Sequence, residues 1–465
     1  MKIKIVATIG PASADYAMQE EMVKAGLAVA RFNFSHGKHE EFKKWLNNFR
    51  QVGLRLQKPI AIIQDLQGPR IRIGSLGKEI VLETGQSVKI GFKEQGFDLF
   101  LDNPEIFNDL KPQERMLVKD GVVILRIKAK TADYLEAEVE RGGKIEGENS
   151  VNLPDSILSL PSLTAKDEGD ALFGLEMGVD FFALSFVRKA QDIEDFRKFL
   201  ITQTRRSLPG IIAKIEKKEA VENIDNILKV VDGIMIARGD LGIEMPREHI
   251  PLIQKEIIKK AISLGKPVIT ATQMLETMVE NPLPTRAEVS DVANAILDGT
   301  DAVMLSEETA IGKYPLEAVI EMAKIIEHTE RFLNLGNWFS RKEIVSEVDV
   351  LGQAACDMAL KIKAKYIVSV TNSGYTALMI AKHKPQTKIL ALTPSEITYR
   401  QLALIWGVEP MILPNFHTTD ELIFQSVDLL KQKNLVSPKD RIVILAGHPA
   451  GERGHTNLLK IQIIE

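Results

Sequence analysis

A single cysteine, Cys356, stands among 465 residues. Neither a disulfide framework nor a cysteine-based zinc site can be built from one thiol. In the pattern AACDMAL that cysteine reads as a small buried apolar residue. No run of 18 apolar residues occurs, so no membrane span is expected. The opening MKIKIVATIG is apolar only as far as Gly10-Pro11, too short for a signal-peptide core. Charge of one sign is missing as well: 59 basic against 63 acidic residues leave −4, with no charged tail. This balance argues against a general nucleic-acid binder, while a local basic pocket could still hold phosphates. Low-complexity segments are absent, as is any fixed-period repeat beyond a strand–helix unit. A cytoplasmic protein is the simplest expectation.

What is present is an ordinary globular composition, 45% hydrophobic and 26% charged. At roughly 100–200 residues per domain the length suggests about three domains. Ile3–Ile9, Leu27–Phe32 and Pro59–Gln64 read as strands separated by helices over Ala14–Ala25 and Lys38–Gln51, a rhythm that implies parallel strands. From Arg70 to Pro154 the helical period stops. Alternating segments such as EIVLETGQSVKI and LVKDGVVILRIKAK, with turns at Asp120-Gly121 and Gly142-Gly143, read as an inserted β domain.

The rhythm resumes with a helix over Asp167–Met177 and strands at Asp180–Phe186, Ile211–Ile215, Gly233–Ala237, Pro267–Thr272 and Asp301–Leu305. Three strands plus five make the eight of a (β/α)₈ barrel. A third region from about Val348, with helix 350–363, strand Tyr366–Val370, helix 375–383 and strand Lys388–Thr393, reads as an open α/β domain. The expected partition is 1–69 (barrel), 70–154 (β lid), 155–340 (barrel again) and 341–465 (C-terminal α/β), with the last junction within Leu333–Ser346.

In such a barrel the chemistry lies at the C-terminal ends of the strands. Those ends carry Arg31, Asn33, Ser35 and His36 (strand two), Asp65 (three), Lys214 and Glu216 (five), Arg238, Gly239 and Asp240 (six), Thr272 and Gln273 (seven), and Ser306, Glu307 and Glu308 (eight). Glu216 and Asp240 are hard oxygen ligands on adjacent strands and suit Mg²⁺, which shares its shell with substrate phosphates. With no His or Cys in either motif, zinc fits poorly. Lys214 lies two residues before Glu216, on the same side of an extended strand. A cation there suits a phosphoryl group in transfer. Arg31 offers a planar fork to phosphate or carboxylate, and Gly239 lets backbone N–H groups approach a substrate. Each of these residues alone also has an ordinary structural reading; the convergence of several strand ends is what favours a site.

In order along the chain stand KIVATIGPAS, GLAVARFNFSHG, QDLQGPRIRIG, VNLP, IIAKIEKKEAVENI, DGIMIARGDLGIEMP and ITATQMLETMVENPLPTRAEVSDVANAILDGTDAVMLSEETAIGKYP. Together they resemble the pyruvate kinase family across the barrel and both edges of the insert. TNSGYTA and GHPAGERGHTNLLKI resemble its C-terminal effector loop and closing strand pair more weakly. The resemblance implies transfer of a phosphoryl group between phosphoenolpyruvate and ADP/ATP. It implies Mg²⁺ (or Mn²⁺) on Glu216 and Asp240, Arg31 on the substrate phosphate, and Lys214 on the phosphoryl group in flight. Gly239, Asp240 and Thr272 would meet the substrate carboxylate, Ser306 and Glu308 would form a water-linked proton path, and Asn33, His36 and Arg72 would hold nucleotide. A monovalent-cation pocket, if occupied, would involve Asn33, Ser35 and Asp65. Thr371, Ser373, Gly374 and Thr376 would form an effector loop for a phosphorylated allosteric ligand, in a homotetramer.

Three departures qualify this. DLQGPRIR replaces the DTKGPEIR of potassium-dependent members, with Leu66 for Thr and Arg70 for Glu. A fixed guanidinium at Arg70 can supply the charge of K⁺, so K⁺ is not expected to be required. Asn149 stands where many members carry a lid lysine, and Tyr375 where many carry Arg or Thr. The competing readings are a Mg²⁺-dependent lyase acting on pyruvate or oxaloacetate, and a non-catalytic sensor. The lid and Lys214 favour the kinase over the first; intact Lys214, Glu216 and Asp240 disfavour the second.

Overall fold

The computed structural model describes residues 1–92, 96–205, 207–333, 344, 346–447 and 456–465. Eight parallel strands close into a barrel: β1 (Lys4–Thr8), β2 (Leu27–Asn33), β3 (Ala61–Asp65), β4 (Phe181–Leu184), β5 (Gly210–Ile215), β6 (Gly233–Ala237), β7 (Val268–Ala271) and β8 (Ala302–Leu305). Each strand neighbours the next, and β1 closes the ring on β8 with Lys4 opposite Ala302. Strands covered on both faces need apolar residues at every position; GIIAKI of β5 is buried throughout, Lys214 included.

The helices are set by ordinary signals. Phe42, Trp45, Leu46, Phe49 and Val52 form the buried stripe of the helix His39–Leu56, which runs five residues beyond the expected end. Thr164 caps the helix Ala165–Met177 in a capping box with Asp167. The Asp167 carboxylate also takes Gly68 N–H at 3.0 Å, fixing the chain where it leaves β3.

Between β3 and β4 lies the inserted domain. Its main sheet has seven strands in the order Ile71–Arg72, Ser150–Asn152, Arg115–Val118, Val123–Lys130, Tyr134–Arg141, Ser87–Gly91 and Leu99–Phe100, beside a two-stranded sheet of Ile80–Leu82 with Gly143–Ile145. It has its own apolar core, including Val88, Ile90, Leu125, Ile127, Leu135 and Val139, which also takes in Leu160. Entry and exit strands pair with each other, Arg72 opposite Ser150 and Ile71 opposite Val151.

The C-terminal sheet is ordered β11 (Val408–Ile412), β10 (Lys388–Thr393), β9 (Tyr366–Val370), β12 (Arg441–Ala446), β13 (Leu458–Ile463), parallel except for β13. It is fastened to the barrel's N-terminal end. Lys4 Nζ donates to Val408 O at 2.7 Å, and Lys2 O accepts Gly407 N–H at 2.8 Å. Lys384 pairs with Asp301, and Lys382 Nζ reaches Ser263 O at 2.7 Å. The opposite end of the barrel is left to the lid. Most of the expected junction Leu333–Ser346, and His448–His455 of the closing segment, lie outside the described residues. No helix among the described residues is long and apolar enough to cross a membrane.

Candidate active site

The strand ends do converge. Lys214, near the end of β5, places its ammonium 2.7 Å from Glu216 Oε1 and 3.2 Å from Asp65 Oδ1, and donates to Ser185 Oγ at 2.8 Å. Asp65, the last residue of β3, gives its other oxygen to Arg31 Nε at 2.7 Å, and Arg31 Nη1 donates to Thr8 Oγ at 2.7 Å. Lys214, Asp65, Arg31 and Glu216 are all at least nine-tenths buried. Burial opposes charge on Lys214 and Asp65, but their partners win. Lys214 is held above its ordinary value because Asp65 and Glu216 outweigh desolvation, and Asp65 below its own because Lys214 and Arg31 do. Glu216 uses its second oxygen to accept Phe186 N–H at 2.8 Å.

Asp240 is the exception. Among the described residues its carboxylate has no hydrogen bond or ion pair. Burial, reinforced by the Glu216 charge, pushes it up to about 6. A half-buried carboxylate beside a buried one, left without a cation of its own, is chemically suited to a hard divalent ion. The residues present therefore fit Mg²⁺, with Glu216 and Asp240 as its carboxylates.

The sequence reads Arg238–Asp240 as a strand end; in the fold they form the first turn of a short helix, Arg238–Glu244, that starts directly after β6. Gly239 N–H donates to Thr272 Oγ at 2.9 Å. Thr272 and Gln273 both adopt left-handed backbone, φ +65° and +54°, a strained state for non-glycine residues. Arg238 holds that turn from one side: its Nη2 donates to Thr272 O at 2.8 Å and Gln273 O at 3.2 Å while Nη1 pairs with Asp291. Glu308 ties the neighbouring loops, accepting Leu275 N–H at 3.1 Å and Ser306 N–H at 2.6 Å; burial raises its carboxyl above the ordinary range. Ser306 Oγ is a buried hydroxyl with no hydrogen-bond partner among the described residues.

Between barrel and lid opens a cleft of about 610 Å³ lined by Asn33, His36, Arg70, Arg72, Lys119, Asn149 and Asp240, among others. Burial and the charges of Arg70, Arg72 and Lys166 lower the His36 imidazole. Ser35 lies beside this cleft, its N–H bonded to Asn33 Oδ1 at 3.1 Å. Leu66, buried, bonds its N–H to Ala183 O and cannot offer a hydroxyl. Far away, a cavity of about 620 Å³ in the C-terminal domain is lined by Thr371, Ser373, Tyr375 and Thr376, with Ser395 and Thr398 opposite. Gly374 has φ +83° and donates to Thr371 Oγ at 3.0 Å, closing the loop.

Sequence reasoning missed Ser185 and Thr8, the hydroxyl partners of Lys214 and Arg31, although each lies at a barrel strand's C-terminal end. It also missed the anchoring by Arg238, because a positive φ at Thr272 leaves no compositional trace.

A lysine and two carboxylates at the mouth of a (β/α)₈ barrel, beside an inserted β domain, define a metal-assisted phosphoryl-transfer enzyme. Residues 1–319 match the family model for the pyruvate kinase barrel domain, and residues 349–462 that for the pyruvate kinase alpha/beta domain. A pyruvate kinase of Geobacillus stearothermophilus is 44% identical over 100% of this chain and 80% of its own. One of Clostridium acetobutylicum is 40% identical over 100% of both. A crystal structure of a pyruvate kinase from Cryptosporidium parvum superposes with a TM-score of 0.92 at 35% identity, covering 100% of this chain and 96% of that one. The chain belongs to the pyruvate kinase family. It is a phosphotransferase that takes phosphoenolpyruvate and ADP to pyruvate and ATP, the closing step of glycolysis, with a divalent metal; the relatives give the lyase reading no support.

Proposed function

We propose that the phosphoryl group passes across the Lys214–Glu216–Asp240 cluster, and one observation carries the reading: the Lys214 ammonium stands 2.7 Å from Glu216 Oε1 while Asp240 lacks a cation partner. Mg²⁺ held by Glu216 and Asp240 would neutralise phosphate oxygens and draw the substrates together. Lys214 then supports the charge spread over the phosphoryl oxygens in flight. Arg31, already oriented by Asp65 and Thr8, holds the substrate phosphate through its remaining N–H groups. Gly239, the Asp240 backbone and Thr272 meet the carboxylate. The unpartnered Ser306 hydroxyl, next to Glu308, belongs to the route by which the enolate takes its proton. Asn33, His36 and Arg72 hold the nucleotide in the lid cleft.

K⁺ is not required in this reading. Arg70 lines the cleft, and its positive charge reaches Asp240 and His36; the Asn33, Ser35 and Asp65 pocket is left without an essential ion. The C-terminal cavity takes a phosphorylated effector. A homotetramer in the cytoplasm, divided at 69/70, 154/155 and 340/341, completes the proposal. The test is a coupled assay of ADP-dependent pyruvate formation on wild type, E216Q and D240N with Mg²⁺ titrated. Both variants should lose turnover and need more Mg²⁺; unchanged Mg²⁺ dependence in both overturns the metal assignment.

A further inference from the structure

We propose that Lys119, at the tip of a lid hairpin, binds the phosphate tail of the nucleotide and supplies the lid's positive charge in place of Asn149. The inference rests on reading the lid cleft as the nucleotide site.

The described cations lining that cleft are Arg70, Arg72, Lys119, Arg188 and Lys217. Two are already engaged. Lys217 pairs with Glu244 at 2.6 Å, and Arg188 donates to Leu158 O at 2.8 Å and lies 3.5 Å from Asp192. Arg70 and Arg72 belong to the segment that enters the lid. Lys119 alone is carried by the hairpin joining Arg115–Val118 to Val123–Lys130. Its ammonium has no hydrogen bond or ion pair among the described residues, and its side chain is half-buried rather than splayed into solvent.

The backbone beneath it is unusual. Lys119, Asp120 and Gly121 are left-handed in succession, φ +53°, +53° and +80°. A lysine gains nothing intrinsically from that region, where its Cβ crowds the following carbonyl oxygen. The turn is locked from the neighbouring strand: Lys119 N–H donates to Ser150 O at 3.0 Å, Asp120 N–H to Ser150 Oγ at 3.3 Å, and Ser150 Oγ to Asp120 Oδ1 at 2.8 Å. Strain held this firmly on a cavity wall marks a side chain that is being aimed.

Asn149 adjoins the residue that locks the hairpin. It cannot supply charge, and its Oδ1 is used to accept Glu146 N–H at 2.9 Å. Beside it stands Glu148, of the wrong sign for an anion. A diphosphate entering the cleft thus finds on the lid hairpin an ammonium unpaired among the described residues, a compact partner for phosphate oxygens.

Steady-state kinetics and calorimetric titration of Mg·ADP on the full chain test this with K119M, K119R, R72M and K119M/N149K. K119M should raise KM and Kd for ADP about tenfold, the scale of one charge-assisted contact, with KM for phosphoenolpyruvate unchanged. K119R should recover most of the loss, and N149K should restore ADP affinity in the K119M background. If R72M weakens ADP and K119M does not, the Lys119 assignment falls while the nucleotide cleft stands. If neither weakens ADP, the cleft reading falls with it. If K119M lowers thermal stability and affects both substrates alike without recovery in K119R, the lysine only shapes the hairpin and the assignment is overturned.

Discussion

Arg400 Nε donates to Asp180 Oδ1 at 2.7 Å, across the seam between the C-terminal domain and the barrel. The same carboxylate, fully buried, gives Oδ2 to Arg50 Nη2 at 3.0 Å and to Ile62 N–H at 2.8 Å. Gln401 Nε2 reaches Asp180 O at 3.1 Å. Arg400 and Gln401 belong to the helix Glu396–Gln401, whose Thr398 and Gln401 line the C-terminal cavity. One acidic side chain, immediately before β4, thus joins a barrel strand, a barrel helix and the wall of the distal cavity.

Removing that carboxylate strands two guanidinium groups. D180A should lower unfolding stability by about 3–5 kcal/mol, the scale for breaking a buried ion pair from one side. R400M should cost less, since the Arg400 side chain is 22% exposed and Arg50 remains to pair with Asp180. Chemical denaturation followed by far-UV circular dichroism checks both, and a D180A midpoint equal to wild type would contradict the ordering.

Lys214→Met removes the cation from a buried cluster that also contains Asp65 and Glu216. Turnover should fall by at least about 10²-fold, the scale of losing one transition-state donor. Because Lys214 is not among the residues that line the lid cleft, KM for ADP should stay near the wild-type value. A thermal melt run alongside separates lost chemistry from lost folding.

Activity in K⁺-free, Na⁺-free buffer should match that with K⁺ added, within about twofold. R70E should make the rate depend on K⁺. A rate that collapses without K⁺ in the wild type, measured by the same coupled assay, would show that Arg70 does not replace the ion.

Burial pushes the Lys4 ammonium down to about 8, against the opposing charges of Glu409 and Glu330. In the unfolded chain the same group keeps its proton to about 10.5. Between those values the unfolded state binds more protons, so stability rises with pH. The increment from this group is at most about 3 kcal/mol, at 1.36 kcal/mol per pKa unit. The stability difference between wild type and K4M should therefore widen in favour of wild type from about pH 7 to about pH 10. Comparing the pair isolates Lys4 from Lys2, which titrates in the same range.

The parallel strands were legible because they are mostly apolar runs: Gly233–Ala237 of the barrel and Tyr366–Val370 of the C-terminal sheet match the sequence reading residue for residue. Glu216, Asp240 and Lys214 were legible because strand ends in a barrel meet at one mouth. Long-range pairing was not. Lys382 and Lys384, in the basic stretch AKHKPQTK, are almost wholly buried, paired with Asp349 and Asp301. Their partners lie 33 and 83 residues away, and no local pattern announces them. The left-handed turn at Thr272-Gln273 was hidden for a different reason: the pair carries neither the glycine nor the asparagine that usually marks such backbone, whereas Asp120-Gly121 announced its turn.

The paired strands Ile71–Arg72 and Ser150–Asn152 make the lid a detachable appendage. Both connections run side by side between the barrel and the inserted domain. Arg72, proposed above to hold nucleotide, rides on this paired ribbon and lines the cleft from there. Chain entry and exit are also neighbours in space, so excising the appendage leaves two ends that a short linker can rejoin, turning a closed chamber into an open dish without unwinding the barrel.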